Sequence, residues 1–325
     1  MGSKVLITGG AGFVGSKLAR ELLTRGEIAG RQIDELVLTD LRAPSSDLTS
    51  DRRVRTSVGT LIDLCAEFGK QQFDLVFHLA GAVSAECEAD FDLGMRSNLH
   101  SIQALLESLR TAGNVPRVVF SSSLAVFGPD ASVPMPSSVS DDTLPTPQSS
   151  YGIQKFIGEQ LIADYTRKGF IDGRSVRPNT VVVRPGRPNG AASGFLSSII
   201  REPLNGEPAV CPVAPETRVA LGSTAGTIAA LIKVAEVERD AFGGRTAINL
   251  PALNVSVNEM LDALEAVGSR KARDLVKFER DPMVVRLVDS WPASVEAPRA
   301  LRLGIEPDKD FISIVRSYVA DQAAR

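Results

Sequence analysis

Histidine and cysteine are both scarce in this chain of 325 residues. There are two histidines, His78 and His100, and three cysteines, Cys65, Cys87 and Cys211. No grouping of them with carboxylates has the spacing of metal ligands, so no metal centre is expected. An odd number of cysteines without a pairing pattern argues against a disulfide framework. Each reads as a small buried thiol, which fits a reducing compartment such as the cytoplasm. No uninterrupted apolar run approaches the ~18 residues of a membrane span. The N-terminus enters a strand pattern directly, without the apolar stretch and cleavage site of a signal peptide. Neither sign of charge dominates. Lys plus Arg is 36 and Asp plus Glu is 39, a net charge of −3, which argues against nucleic acid or an anionic membrane as partner. No repeat of fixed period is present.

What is present begins at Lys4. The run KVLITGGAGFVG places the apolar Val5-Leu6-Ile7 before glycines at Gly9, Gly10, Gly12 and Gly15, and Val14, Leu18 and Leu22 then recur four apart. This is strand, tight turn and helix. Such a turn presents a row of backbone N–H groups at the positive end of a helix, a setting for a pyrophosphate. Gly12 leaves the phosphates room to approach, and Gly15 lets the helix lie close on the strand. A second strand, Leu36 to Asp40, ends in an acid at about the distance from the glycines where a ribose-binding carboxylate belongs, allowing for a short insertion at Ile28 to Asp34. Asp40 would accept from the ribose hydroxyls and repel the extra phosphate of NADP, although Arg42 offers that phosphate a partner. The cofactor expected is NAD.

Further strands are read at Val54 to Val58, Asp74 to Ala80, Arg117 to Ser121 and Thr180 to Arg184, with helices at Leu61 to Phe68, Asp90 to Arg110 and from Ser149 or Ser150 to about Lys168. The alternation predicts an α/β fold, a Rossmann-type doubly wound parallel sheet with a smaller C-terminal substrate-binding lobe. Residues 1–184, with 222–250 returning, make the dinucleotide-binding domain. Residues 185–221 and 251–325 make the lobe, where Ser256-x-x-Glu259 spells a capping box. The loop Gly128 to Gln148, with a solvated acidic pair at Asp141-Asp142, is long enough to carry function.

Ligands bind at the carboxyl ends of strands in such a sheet, and Ser121-Ser122-Ser123 lies at one of them. Tyr151 and Lys155 lie four apart on the next helix and share a face. A phenol is a poor base at neutral pH, and a neighbouring ammonium favours its ionised form. Tyr151 then takes a proton from a substrate hydroxyl while hydride leaves the same carbon for the nicotinamide. Lys155 also holds the nicotinamide ribose, and Ser123 the substrate oxygen. His78, inside an apolar strand, reads as a core residue.

These motifs resemble those of the extended short-chain dehydrogenases/reductases, the group of nucleotide-sugar epimerases and dehydratases. The likeness covers nearly the whole chain: TGGAGFVG at Thr8 to Gly15, Asp40, HLAG at His78 to Gly81, Asn98, SSSLAVFG at Ser121 to Gly128, YGIQK at Tyr151 to Lys155, and SVEAPRALRLGIEP at Ser294 to Pro307. It implies NAD contacts from Gly9, Gly12, Phe13, Val14, Gly15, Asp40, Leu79, Ala80, Gly81, Asn98, Ser121, Tyr151 and Lys155. It also implies catalysis by Ser123, Tyr151 and Lys155, and a homodimer built on the helices around Asn98 and Tyr151, for which the apolar face from Leu99 to Leu109 is available.

The departures bear on substrate. Where the family's dehydratases carry Thr-Asp-Glu, this chain has Ser123-Leu124-Ala125, which argues against dehydration. Where many members follow the sixth strand with Arg-Tyr-x-Asn, the run here is Arg184-Pro185-Gly186-Arg187. Ala220-Leu221-Gly222-Ser223 and Thr60 replace two other usual acids. A guanidinium is the natural partner of a planar carboxylate. The expected substrate is therefore a small sugar acid, with Arg187 on its carboxylate, Ser84 or Asn189 on its distal hydroxyls, and Ser123 with Tyr151 on the C2 oxygen. Arg218 is a competing carboxylate ligand. The segment VRPGRPNGAASGF, Val183 to Phe195, is similar to a branch that oxidises C2 of a four-carbon sugar acid to the 2-oxo acid. The alternatives are a nucleotide-sugar 4-epimerase with tightly bound NAD, and an NAD-binding sensor without turnover.

Overall fold

The computed structural model describes residues 2–184 and 192–323. Arg187 and Asn189, expected to meet the substrate, lie outside the described residues. The chain divides into two compact units. The first holds the chain to Ser123, Ser149–Arg177 and Ile228–Ile248, and the second Leu124–Gln148, Pro178–Thr227 and Asn249 onward.

The first unit is built on a sheet of β1 (Ser3–Thr8), β2 (Glu27–Ile28), β3 (Arg31–Asp40), β4 (Val54–Val58), β5 (Leu75–His78), β6 (Arg117–Ser121) and β7 (Asp172–Arg177), with Ile248–Asn249 at the β7 edge. The order runs β7-β6-β5-β1-β3, with β4 on the far side of β3, and these pairs are parallel. β1 therefore lies between β3 and β5, and the chain reverses its direction of travel across the sheet there, which opens a crevice at the carboxyl ends. Leu6, Val37 and Val76 pack with Phe68, Ile102, Leu105, Leu106, Leu109 and Ile162 in one buried cluster. Val5, Ile7, Leu36 and Leu38 alternate with them in the strands and are fully buried as well, so the sheet is covered on both faces.

Three expectations are refined here. The insertion at Ile28 to Asp34 is a hairpin: Glu27–Ile28 pairs antiparallel with the start of β3 through Ala29 and Gly30, both at positive φ, the signature of a two-residue turn matched to strand twist. The sixth parallel strand is Asp172–Arg177, while Thr180–Val182 belongs to a different, three-stranded sheet. Arg174, fully buried, makes this strand possible. It donates to the carbonyls of Val234 and Val237 and pairs with Asp172 at 2.8 Å, so the guanidinium has partners despite its burial. The run that follows the sixth strand is thus Arg177-Pro178-Asn179, not Arg184 onward. Finally, of the face Leu99 to Leu109, the residues Ile102, Leu105, Leu106 and Leu109 are buried in the unit's own core, whereas Leu99 is half-buried.

The second unit has its own core, in which Leu196, Ile199 and Ile200 pack with Val219, Leu221, Met260, Leu264 and Val315. The Ser256–Glu259 capping box forms with both reciprocal bonds, at 2.6 and 3.1 Å. Against the boundaries expected from the sequence, the segment Leu124–Gln148 groups with this unit. Val139 bridges to Val295, and Asp141 accepts from the backbone N–H groups of Asn249 and Arg299, so that acid is not merely solvated.

Candidate active site

The crevice of the first unit gathers what the sequence spread from Thr8 to Lys155. In β1, Thr8 pairs with Thr39 of β3 on one side and His78 of β5 on the other, so the glycine turn, Asp40 and Leu79 emerge together at one sheet edge. At Gly9 and Gly15 the turn has no room for side chains. Gly9 has φ +74°, and a Cβ there would lie 2.9 Å from the Ala80 nitrogen. A Cβ on Gly15 would lie 2.1 Å from the Gly9 carbonyl oxygen. Asp40 is tied to this turn, accepting from Ala11 N–H at 3.1 Å and from Arg42 N–H at 3.3 Å. The helix Phe13–Arg25 starts at Gly12, which supplies no side-chain cap. Its first N–H groups therefore need an outside acceptor. An extended backbone turn, a bare helix start and an adjacent carboxylate suit a dinucleotide's pyrophosphate and ribose.

Thr8 holds the next strand end. Its hydroxyl accepts from Leu79 and Ala80 N–H, both at 3.2 Å, which leaves its proton for His78 Nδ1 at 2.7 Å. Burial, and secondarily the charge on Lys155, lower the His78 pKa to about 3, so the ring is neutral and serves as a core acceptor.

Gly81 and Ala82 follow, clamped by Asn98. The Asn98 carboxamide accepts from Ala82 N–H at 2.8 Å and donates to the Ala82 carbonyl and to Gln154 Oε1, the latter at 2.8 Å. A Cβ on Gly81 would meet Asn98 Oδ1 at 2.6 Å and Lys155 Nζ at 3.5 Å. Asn98 sits in a π-helical turn, Met95–His100, within what the sequence presented as one α-helix. Such turns concentrate at functional sites.

Lys155 is almost fully buried and donates to the carbonyl of Ser121, at the end of β6, at 2.9 Å. Its ammonium lies 5.7 Å from the centre of the Tyr151 ring and 5.0 Å from that of Phe120. Burial lowers its pKa to about 8, which still leaves it charged at neutral pH. Ser122 donates to Glu159 at 2.5 Å, and Glu159 pairs with Arg177 through two bonds of 2.8 Å. Ser123 is the next residue along. A charged donor beside a phenol, at a carboxyl strand end, is an arrangement able to exchange a proton with a hydroxyl.

Among the substrate candidates, Ser84 opens the short helix Ser84–Ala89 in the first unit. Arg218 belongs to the second unit, where Glu259 and Asn254 engage its guanidinium. Sequence reasoning missed Thr8, Gln154, Glu159 and Arg177. Thr8 and Gln154 lie inside the motifs TGGAGFVG and YGIQK without a role of their own, and Glu159 left a trace as a carboxylate four residues beyond Lys155 on the same helix.

Comparison with known proteins agrees with this geometry. The chain is 48% identical over 325 residues, 98% of each chain, to D-erythronate dehydrogenase of Cupriavidus necator. It is 40% identical to D-erythronate dehydrogenase of Haemophilus influenzae, over 97% of this chain and 98% of that one. A crystal structure described as the nucleoside-diphosphate-sugar epimerase from Agrobacterium tumefaciens superposes with a TM-score of 0.90 at 37% identity, covering 99% of this chain and 95% of that one. Residues 5–220 match the model of the NAD dependent epimerase/dehydratase family. The chain therefore belongs to that family and is an NAD-dependent oxidoreductase.

Proposed function

We propose that this enzyme oxidises a small sugar acid, D-erythronate, at C2 to the 2-oxo acid. The observation that carries the reading is the buried Lys155 ammonium set between the Ser121 carbonyl and the Tyr151 ring, beside Gly81. The choice of acid is supported by the two relatives of that name, whose likeness extends over nearly the whole of each chain.

NAD, when bound, supplies the hydride acceptor. Gly9, Gly12, Phe13, Val14 and Gly15 would hold its pyrophosphate, Asp40 its adenosine ribose, and Leu79, Ala80, Gly81, Asn98, Ser121, Tyr151 and Lys155 its nicotinamide half. Tyr151 takes the proton from the C2 hydroxyl as general base. Lys155 keeps positive charge beside that phenol and favours its ionised form. Ser123 donates to the C2 oxygen and orients it. Arg187 binds the substrate carboxylate in a two-point, charge-assisted contact, and Ser84 or Asn189 meets the distal hydroxyls. Arg218 is the weaker candidate for the carboxylate, since Glu259 and Asn254 already engage it.

The reading includes a cytoplasmic enzyme, supported by three buried, unpaired cysteines. It includes a homodimer too, for which Ile153 and Ile157, left exposed on the Tyr151 helix, are the supporting residues.

The test mixes purified protein with NAD and a panel of four-carbon hydroxy acids, with UDP-sugars as controls. Net formation of reduced nicotinamide with D-erythronate is expected, and about 10²–10⁴-fold loss in Tyr151→Phe. Arg187→Ala raises KM for the acid about tenfold or more and leaves affinity for NAD in place. Interconversion of UDP-sugars without net reduction would instead favour the epimerase reading, and silence in both assays a sensor.

A further inference from the structure

The first unit contains an ion pair whose burial serves no evident need of the sheet. Glu159 and Arg177 are 2% and 4% exposed. Apolar residues of similar volume are often no less stable at such positions. The pair is instead joined to the candidate site. Glu159 Oε1 accepts both from Arg177 Nε and from the Ser122 hydroxyl, and Oε2 accepts from Arg177 Nη2. Ser122 is also fixed through its backbone, donating to the Val176 carbonyl at 2.8 Å. Its neighbours in sequence are Ser121, whose carbonyl receives Lys155, and Ser123.

Glu159 also lies one helical turn beyond Lys155, on the same face. Several titratable groups surround that ammonium. His78 faces it from β5 and is neutral; Cys87 faces it from the helix Ser84–Ala89, its thiol pushed up by burial and so protonated. Tyr151 and Glu159 share its helix, and Arg177 stands behind Glu159 on β7. The desolvation of Lys155 is opposed first by Cys87 and then by Glu159, and with the thiol protonated the lasting negative charge is that of Glu159.

We propose that Glu159, locked in place by Arg177, is a positioning residue for the site. It anchors the Ser121–Ser123 segment through the Ser122 hydroxyl, and its charge keeps Lys155 protonated. Arg177 restrains the carboxylate to one rotamer through its two bonds. That this matters for turnover rests on the role given to Lys155 above.

The experiment titrates Lys155 itself in the full-length protein without added NAD. The side-chain lysine signals of isotope-labelled protein are followed by NMR, and the Lys155 signal is identified by its absence from Lys155→Met. In Glu159→Gln the Lys155 pKa falls by about one unit or more, since an opposite charge is lost nearby. Glu159→Asp, which keeps the charge but disturbs the two-bond geometry, stays close to the wild type. A merely structural role would make Asp at least as disruptive as Gln. An unmoved Lys155 in folded Glu159→Gln overturns the proposal, as does an equal shift in Glu159→Asp. Should Glu159→Gln lack a folded state, Arg177→Gln gives the opposite test: the unopposed carboxylate raises the Lys155 pKa, and no rise overturns the proposal. Rates are measured in parallel. A shifted Lys155 with undiminished kcat at neutral pH leaves the positioning intact and removes the catalytic role of Lys155 instead.

Discussion

Replacing Lys155 by Met removes the candidate site's buried cation and is expected to stabilise the fold. The ordinary lysine pKa of 10.5 falls to about 8 in the folded protein, chiefly because burial penalises the charged form. At about 1.4 kcal/mol per unit, that is roughly 3 kcal/mol of destabilisation at pH 7. Methionine fills similar space but leaves the Ser121 carbonyl without its donor and removes the contact over the Phe120 ring, which together cost about 1–2 kcal/mol. The net expectation is a gain of about 1–2 kcal/mol at pH 7. The sign with pH follows from the lowered pKa. Below pH 8 both folded and unfolded chains carry the proton, and the full penalty is present. Between about pH 8 and 10.5 the folded lysine loses its proton while the unfolded one keeps it, and the penalty disappears. The advantage of Lys155→Met should therefore shrink or reverse at pH 10. Urea unfolding of both proteins at pH 7 and pH 10, followed by far-ultraviolet circular dichroism, measures it. A variant less stable than wild type at pH 7, or an advantage unchanged at pH 10, would refute the reasoning. The stabilised variant should have lost turnover, the pattern of a residue kept for chemistry at the expense of stability.

The glycine turn separates stability from binding. An alanine methyl at position 15 would meet the Gly9 carbonyl oxygen at 2.1 Å, whereas one at position 12 would meet it at 3.1 Å. Gly15→Ala should lower both the melting temperature and NAD affinity. Gly12→Ala should leave melting within a few degrees but weaken NAD binding at least about tenfold by calorimetry, because its methyl occupies the approach of the phosphates. Wild-type NAD affinity in Gly12→Ala would show that the phosphates lie elsewhere. His78 predicts an acid response. With its pKa lowered to about 3 by burial, the unfolded chain takes up a proton below about pH 6.5 that the fold refuses, and stability falls at about 1.4 kcal/mol per unit from there toward pH 3. His78→Gln should flatten the slope of unfolding free energy between pH 6 and pH 4 by that amount, and an unaltered slope would mean that the ring is not held neutral.

Much of this was legible in the sequence because it rests on local pattern. Strand, turn and helix at Lys4 to Leu22 follow from apolar spacing and glycine. β6 at Arg117–Ser121 and the helix Leu61–Phe68 lie where periodicity puts them. The Tyr151–Lys155 pair follows from helical geometry. What stayed hidden depended on contacts between distant residues. β7, read DGRSVR, looks too polar for a central strand, and only acceptors near residue 235 and a carboxylate on another helix make Arg174 and Arg177 burial-tolerant. The π-helical turn at Asn98 has no sequence signature. It accompanies a side-chain amide that reaches Ala82 and Gln154. The face Leu99 to Leu109 shows apolar spacing plainly, but spacing does not say whether a helix meets its own core or a second chain.

The sequestered guanidinium of Arg174 has a consequence for how the protein is made. Its acceptors at Val234 and Val237 are 60 and 63 residues further along. A nascent chain that has just left the ribosome at β7 holds this cation in water, with Asp172 but without either carbonyl. The sheet can close over it only after the intervening residues are synthesised and the segment from Ile228 comes back. A fragment stopped near Thr227 would strand a fully buried charge, so the first unit is committed to wait for the late part of its own polypeptide.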